Sequence, residues 1–211
     1  MGERMKFQHP ARILISGAST CGKTTLTQNI LKHPELFSVP PQKIIYVRKF
    51  PARWEDDFDY VDFVNELPSD WDERYPTLIV IDDQITQKGV LANVESLFVR
   101  GSHHKNASVI LITQALFYHN ASFRTISMNA SYIILFRNAR SIQQIETFGR
   151  QVFGRHHLPY FLDAYNQSTR EPYGYLALNL HAQTPASRSL RTGILPHEKQ
   201  YLFTPKDESI P

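Results

Sequence analysis

Cysteine is almost absent from this chain: Cys21 is the single thiol in 211 residues. One cysteine excludes an intrachain disulfide, and it sets the expectation of a reducing, intracellular environment. Long apolar runs are missing too, since no stretch approaches the roughly 18 uninterrupted residues of a membrane-spanning helix. The N-terminal segment carries Glu3, Arg4, Lys6 and His9 and lacks the apolar centre of a secretory signal. Internal repeats and low-complexity stretches are also lacking. The adjacent pairs His103-His104 and His156-His157 do not have the i, i+4 spacing of metal ligands, and no cysteine lies near either, so no zinc site is expected. What remains is ordinary globular material, 42% hydrophobic and 20% charged. The length suits one large domain, or one domain with a small appendage.

The formal net charge of +3 is small, and its distribution says more. Residues 54–73 hold nine carboxylates and no Lys or Arg, whereas residues 124–155 hold five arginines against the single acid Glu146. The basic run reads either as a face suited to phosphates or as the solvated side of an amphipathic helix.

Apolar strands alternate with helices along most of the chain. Strands are expected over 11–16, 43–48, 60–64, 77–81, 108–113 and 131–136, and helices over 23–32, 91–104 and 141–153. Runs rich in β-branched residues, such as Thr77-Leu-Ile-Val-Ile81, are the mark of strands buried on both faces. The fold class expected is therefore α/β, a mainly parallel sheet with helices on both faces. From Leu158 the pattern changes to a short helix (158–166), a Tyr-rich strand (173–180) and a polar tail. The organisation expected is an N-terminal arm (1–10), a core (11–157), an extension of the same domain by helix and strand (158–195), and a tail (196–211) expected to be mobile.

After the first expected strand comes Gly17-Ala18-Ser19-Thr20-Cys21-Gly22-Lys23-Thr24, followed by Thr25. This is a complete G-x-x-x-x-G-K-[ST] phosphate-binding loop between a strand and a helix, as the motif requires. Gly17 and Gly22 let backbone N–H groups converge on phosphate oxygens, and the helix starting near Lys23 adds its positive N-terminus. Lys23 is expected on the β- and γ-phosphates of ATP, and the Thr24 hydroxyl on Mg²⁺. Cys21 has no nearby base and reads as a small filler rather than a nucleophile.

The strand 77–81 ends on Asp82-Asp83, at the edge where parallel sheets bind ligands. Asp82 is expected to hold Mg²⁺ through water, and Asp83 to orient the attacking water. The next strand ends on Gln114, which reads either as a sensor of the γ-phosphate and lytic water or as the first residue of a loop.

The loop, Ile81-Asp82-Asp83-Gln84 and Thr113-Gln114 together resemble the FtsK/HerA superfamily of DNA-pumping ATPases. Narrower runs resemble its viral genome-packaging branch, as found in Maverick/Polinton elements, adintovirus-like viruses and poxviruses. These runs are Thr113-Gln-Ala-Leu-Phe117, Phe123-Arg-Thr-Ile-Ser-Met-Asn-Ala130, Ile134-Leu-Phe-Arg-Asn-Ala-Arg140 and Gly149-Arg-Gln-Val-Phe153. The likeness spans residues 12–195. Asp83 departs from the Glu common in the wider superfamily, although the viral branch often has Asp. The short segment before the loop leads us to expect no membrane anchor or separate regulatory domain.

The resemblance implies a RecA-like P-loop NTPase that hydrolyses ATP with Mg²⁺ and forms a homo-oligomeric ring of about five or six subunits around double-stranded DNA. It also implies a capsid or portal partner, no membrane partner, and action in the host nucleus or cytoplasm at sites of virion assembly. An arginine supplied to the neighbouring subunit's γ-phosphate is implied as well. Arg100 matches that region best and Arg124 second, with a surface salt bridge or a DNA-phosphate contact as the competing role for each. Arg137, Arg140 and Arg150 are candidates for DNA-backbone or inter-subunit contacts. Two other readings remain open at this stage. One is a P-loop nucleotide or nucleoside kinase, in which these arginines and Arg155 form a lid. The other is a non-hydrolysing, nucleotide-dependent assembly factor that binds capsid or portal.

Overall fold

The computed structural model describes residues 4–82, 90–101, 105–116 and 121–205. Nine strands form one sheet: β1 (Arg12–Ser16), β2 (Lys43–Val47), β3 (Asp62–Val64), β4 (Thr77–Asp82), β5 (Ala107–Thr113), β6 (Tyr132–Phe136), β7 (Tyr175–Asn179), β8 (Leu190–Thr192) and β9 (Tyr201–Phe203). Their order is β3-β2-β4-β5-β1-β6-β7-β8-β9. The first six in that order are mutually parallel, and the last three pair antiparallel.

The buried β-branched runs explain the centre of this sheet. Side chains alternate between faces along a strand, so a strand covered on both faces is apolar throughout. In β1, Leu14 joins one core, with Ile79, Ile81, Val109, Leu111, Ile133 and Leu135. Its neighbours Ile13 and Ile15 join the other, with Leu78, Val80, Ile110, Ile112 and Ile134. On the Leu14 face lie α2 (Val90–Ser96), α3 (Ala121–Asn129) and α4 (Ile142–Ser168), through Val94, Phe123, Ile126, Ile145 and Phe161. On the Ile13 face lies α1 (Lys23–Lys32), through Leu26, Ile30 and Leu31, beside Met5 and Phe7 of the N-terminal arm.

Two stretches depart from expectation. The helix read over 91–104 is α2 followed by a π-helical turn, Leu97–Gly101, and residues 102–104 lie outside the described residues. The helices read over 141–153 and 158–166 are two halves of α4, broken at Gly154, whose φ of 74° is left-handed. An unbroken helix would separate Phe148 from Phe161 by about 20 Å, yet their ring centroids are 5.9 Å apart. The halves therefore fold back on each other. Gly149 sits at the crossing, where a Cβ would fall 2.7 Å from Phe161 Cε1 and 2.9 Å from Leu158 Cδ1. Gly149→Val is expected to lower stability by about 1–3 kcal/mol, read by chemical denaturation.

Within the tail expected over 196–211, Tyr201–Phe203 forms β9 against β8. Strands of three residues carry too little alternation to announce themselves, and their pairing is set by tertiary contact.

All parallel strands end at one edge of the sheet, so the segments leaving β1, β4, β5 and β6 emerge together there.

Candidate functional site

At that edge the segment after β1 wraps tightly before α1. Gly22 caps α1 with a φ of 106°, and Thr20 also has a positive φ of 62°. A side chain at Gly17 has no room: its Cβ would lie 2.6 Å from Phe136 Cβ and 2.7 Å from Cys21 Sγ. Gly22 is closed over by Tyr173, whose Cδ1 would be 2.9 Å from an added Cβ. Both glycines are thus required by close approach, and Gly22 by its backbone angle too. Lys23 Nζ donates to the carbonyls of Gly17 (2.8 Å) and Ala18 (2.7 Å), so its ammonium lies inside the curve of the loop. Burial raises the pKa of Cys21, which opposes thiolate formation and agrees with a filler.

The strand order brings the other expected groups to this loop. β5 lies between β4 and β1, with Asp82 level with Ile112 and Ser16 level with Thr113. Ser19, Lys23, Thr24, Asp82, Thr113 and Gln114 consequently line one cavity of about 120 Å³. Ser19 Oγ donates to Gln114 Oε1 at 3.5 Å, linking the loop to the end of β5. Gln114 lines this cavity from the bend that follows β5. Thr25 is exposed on the first turn of α1. Asp83 lies outside the described residues.

Sequence reading missed the groups that hold these side chains. Tyr46, fully buried on β2, donates its hydroxyl to Asp82 Oδ2 at 2.8 Å. Burial, with the Asp82 charge beside it, pushes the Tyr46 pKa strongly up, so the phenol stays a proton donor. The only sequence signal was a tyrosine in an otherwise aliphatic strand interior. Asn138, inside the Arg-Asn-x-Arg run, donates from Nδ2 to the Gln114 carbonyl at 3.2 Å. Its backbone N–H donates to Tyr165 Oη at 3.0 Å, and Gln144 Oε1 accepts from the Leu116 N–H at 3.2 Å. The first half of α4 and Tyr165 in its second half thereby fix the segment after β5.

Thr24 and Asp82 are hard oxygen donors on one small cavity. This fits Mg²⁺, which takes one or two protein oxygens and fills its octahedron with water and phosphate. No group of three His, Cys, Asp or Glu suited to a metal occurs among the described residues, in keeping with so sparse a donor set. Tyr46 holds the carboxylate that would face a metal ion in this cavity. Tyr46→Phe is expected to weaken the apparent Mg²⁺ affinity by about tenfold with the fold intact, measured as the Mg²⁺ dependence of nucleotide binding and turnover.

A second cavity of about 420 Å³ adjoins the loop, between Ala18–Cys21 and the segment 170–174, with Arg137 on its wall. The structure therefore sets Arg137 beside the loop. Arg140 and Arg150 are exposed on and before α4. Neither Arg100 nor Arg124 lines the two loop cavities. Arg12, the first residue of β1, donates to the Phe98 carbonyl at 3.1 Å, which fixes 97–101 at the edge where the parallel strands begin. Exposed Arg100 thus stands across the sheet from its own chain's loop. Arg124 is exposed in the first turn of α3.

Six parallel strands, helices on both faces and a glycine loop between β1 and α1 define an α/β domain of P-loop NTPase fold. No family model matches the sequence, and no curated protein is similar to it. Among solved structures, the chain is similar to the genome packaging NTPase B204 of Sulfolobus turreted icosahedral virus 2. In its complex with AMPPCP the TM-score is 0.54 at 16% identity, covering 93% of this chain and 99% of that one. In its complex with AMP the TM-score is 0.52 at 18% identity, covering 83% and 96%. B204 described as the DNA-packaging ATPase of Sulfolobus turreted icosahedral virus gives 0.54 at 12% identity, covering 94% and 99%. At these identities the likeness is one of fold.

Proposed function

We propose that this chain is an ATP-hydrolysing, double-stranded DNA translocase that packages a viral or virus-like transposon genome. The observation that carries the reading is the single cavity shared by Lys23, Thr24, Asp82 and Gln114. A nucleotide-binding protein needs the first two; a water-activating one also needs polar groups across the γ-phosphate, where Asp82 and Gln114 stand. The similarity of fold to packaging NTPases over most of the chain supports the biological role, as do the narrow runs shared with the packaging branch.

In this account Lys23 leaves the Gly17 and Ala18 carbonyls for the β- and γ-phosphates, and the loop N–H groups hold the remaining oxygens. Thr24 and Asp82 would hold a Mg²⁺, which would supply charge neutralisation at the phosphates. Tyr46 keeps the Asp82 carboxylate aimed. Gln114, fixed through its carbonyl by Asn138, orients water for in-line attack, with Asp83 as its base. Arg100 serves a neighbouring subunit, because its position excludes the site of its own chain; Arg124 is the second choice. The assembly is a ring of about five or six copies around the duplex, in contact with a capsid or portal and active where virions are assembled in the host nucleus or cytoplasm.

ATP turnover with and without duplex DNA tests the reading. Stimulation by DNA of any sequence, lost on addition of salt, is the expected result. Phosphate transfer to a nucleoside or nucleotide acceptor, unaffected by DNA, would establish the kinase reading instead. Tight ATP binding without turnover would establish the assembly factor.

A further inference from the structure

A basic groove lies away from the nucleotide site, between the N-terminal arm, the segment after β7, and β8. It is a cavity of about 260 Å³ whose wall carries Arg4, Lys6, Arg188 and Arg191 and no carboxylate. Arg191 is the informative member. It is only 5% exposed, its Nε has no hydrogen-bond partner, and its Nη2 donates to the Arg188 carbonyl at 2.7 Å. Among the described residues, none of the four cations has a carboxylate within ion-pair distance. A charge taken out of water is costly unless it is paired, so buried Arg191, with three exposed cations around it, favours an anion in this groove.

The complement is in the same chain. Within the acidic stretch, Asp56, Asp57 and Asp59 are exposed, and among the described residues they form no ion pair. The two features share a face of the sheet, because Trp54 and Phe58 pack with the α1 core, as do Met5 and Phe7 of the arm. They also share an edge. α1 starts at the loop and runs back over the sheet, and Tyr60 Oη donates to the Leu31 carbonyl near its far end at 3.4 Å. At the groove, the Gln8 N–H donates to Tyr132 Oη, on the first residue of β6, at 2.9 Å. Along the strand order, however, they stand apart: the acids precede β3 at one end, and the groove abuts β8 near the other.

One face, one edge and opposite ends make the arrangement in which a simple rotation sets the acidic end of one copy against the groove of the next. We propose that the groove is the seat of Asp56, Asp57 and Asp59 of a second copy of this chain, in a repeated head-to-tail contact. The contact rests on the self-association of the proposed function but not on its chemistry, and it lies at the opposite edge of the sheet from the loop, so it does not itself carry Arg100 to a neighbour's nucleotide.

The test uses the full chain and solution mass by sedimentation at low and high salt, with a nonhydrolysable nucleotide present. Arg188 is exposed, so Arg188→Glu avoids burying an acid at Arg191. The expected result is self-association that falls at high salt and is weakened at least about tenfold by Arg188→Glu or by Asp57→Arg/Asp59→Arg. Mixing the two variants restores pairing to the dimer, because the native groove of one copy meets the native acids of the other. A monomeric wild-type chain, or association indifferent to both reversals, overturns the proposal. Loss of duplex binding by Arg188→Glu with association unchanged also overturns it and assigns the groove to DNA phosphates. ATP turnover is read on the same samples: normal association without hydrolysis sinks the functional reading and leaves the contact standing.

Discussion

Replacing Lys23 with alanine is expected to lower kcat for ATP hydrolysis by about 10²–10³-fold, the cost of losing one preorganised charge at the transition state. Three observations support an effect of that size. Lys23 is held inside the loop curve by the Gly17 and Ala18 carbonyls, so its ammonium already lies at the anion site. It shares one small cavity with Asp82 and Gln114, so a phosphate bound there would lie next to the two groups proposed to act on water. Its neighbour Cys21 is neutral and cannot replace it. The side chain is only partly buried, so the variant should unfold at the wild-type denaturant midpoint. Steady-state phosphate release measures the loss, and an undiminished kcat in a folded variant would remove the loop from the chemistry.

The second large effect is expected at Arg100. If it completes the neighbour's site, Arg100→Ala lowers kcat by about 10³-fold or more, as for arginines supplied in trans in other phosphoryl-transfer enzymes. The decisive version mixes this variant with Lys23→Ala. Each is inactive alone, but in a mixed assembly the Lys23→Ala copy offers an intact Arg100 to the intact loop of the Arg100→Ala copy. Partial recovery of turnover on mixing is the expected outcome. A recovery seen only with Arg124→Ala in place of Arg100→Ala would reassign the role to Arg124. No recovery with either would confine catalysis to one chain.

Much of this was legible in the chain before any coordinates. Residues 13–15, 78–81 and 109–112 are apolar without interruption because β1, β4 and β5 are covered on both faces, and burial on both faces is something a sequence displays openly. The loop was legible for a different reason: Gly22 and Lys23 answer to backbone and phosphate geometry, which fixes residue type at each place. Tyr46 was not legible, because its partner Asp82 is 36 residues away and only strand pairing brings them together. Asn138 was visible within a narrow run, but its task of holding the Gln114 carbonyl depends on β6 ending beside that segment. The turn at Gly154 and strands β8 and β9 were hidden for a related reason. A helix folding back on itself and three-residue strands are decided by what they pack against, not by their own periodicity. α3 belongs with them, since Phe123 and Ile126 are its only buried apolar side chains.

The most direct test of the central claim is movement along DNA rather than hydrolysis alone. A duplex carrying a triplex-forming third strand is mixed with the protein, Mg²⁺ and nucleotide, and release of the third strand is followed with time. The account predicts release with ATP, none with a nonhydrolysable analogue, and none with Lys23→Ala. Brisk ATP hydrolysis on this duplex with the third strand left in place would contradict it.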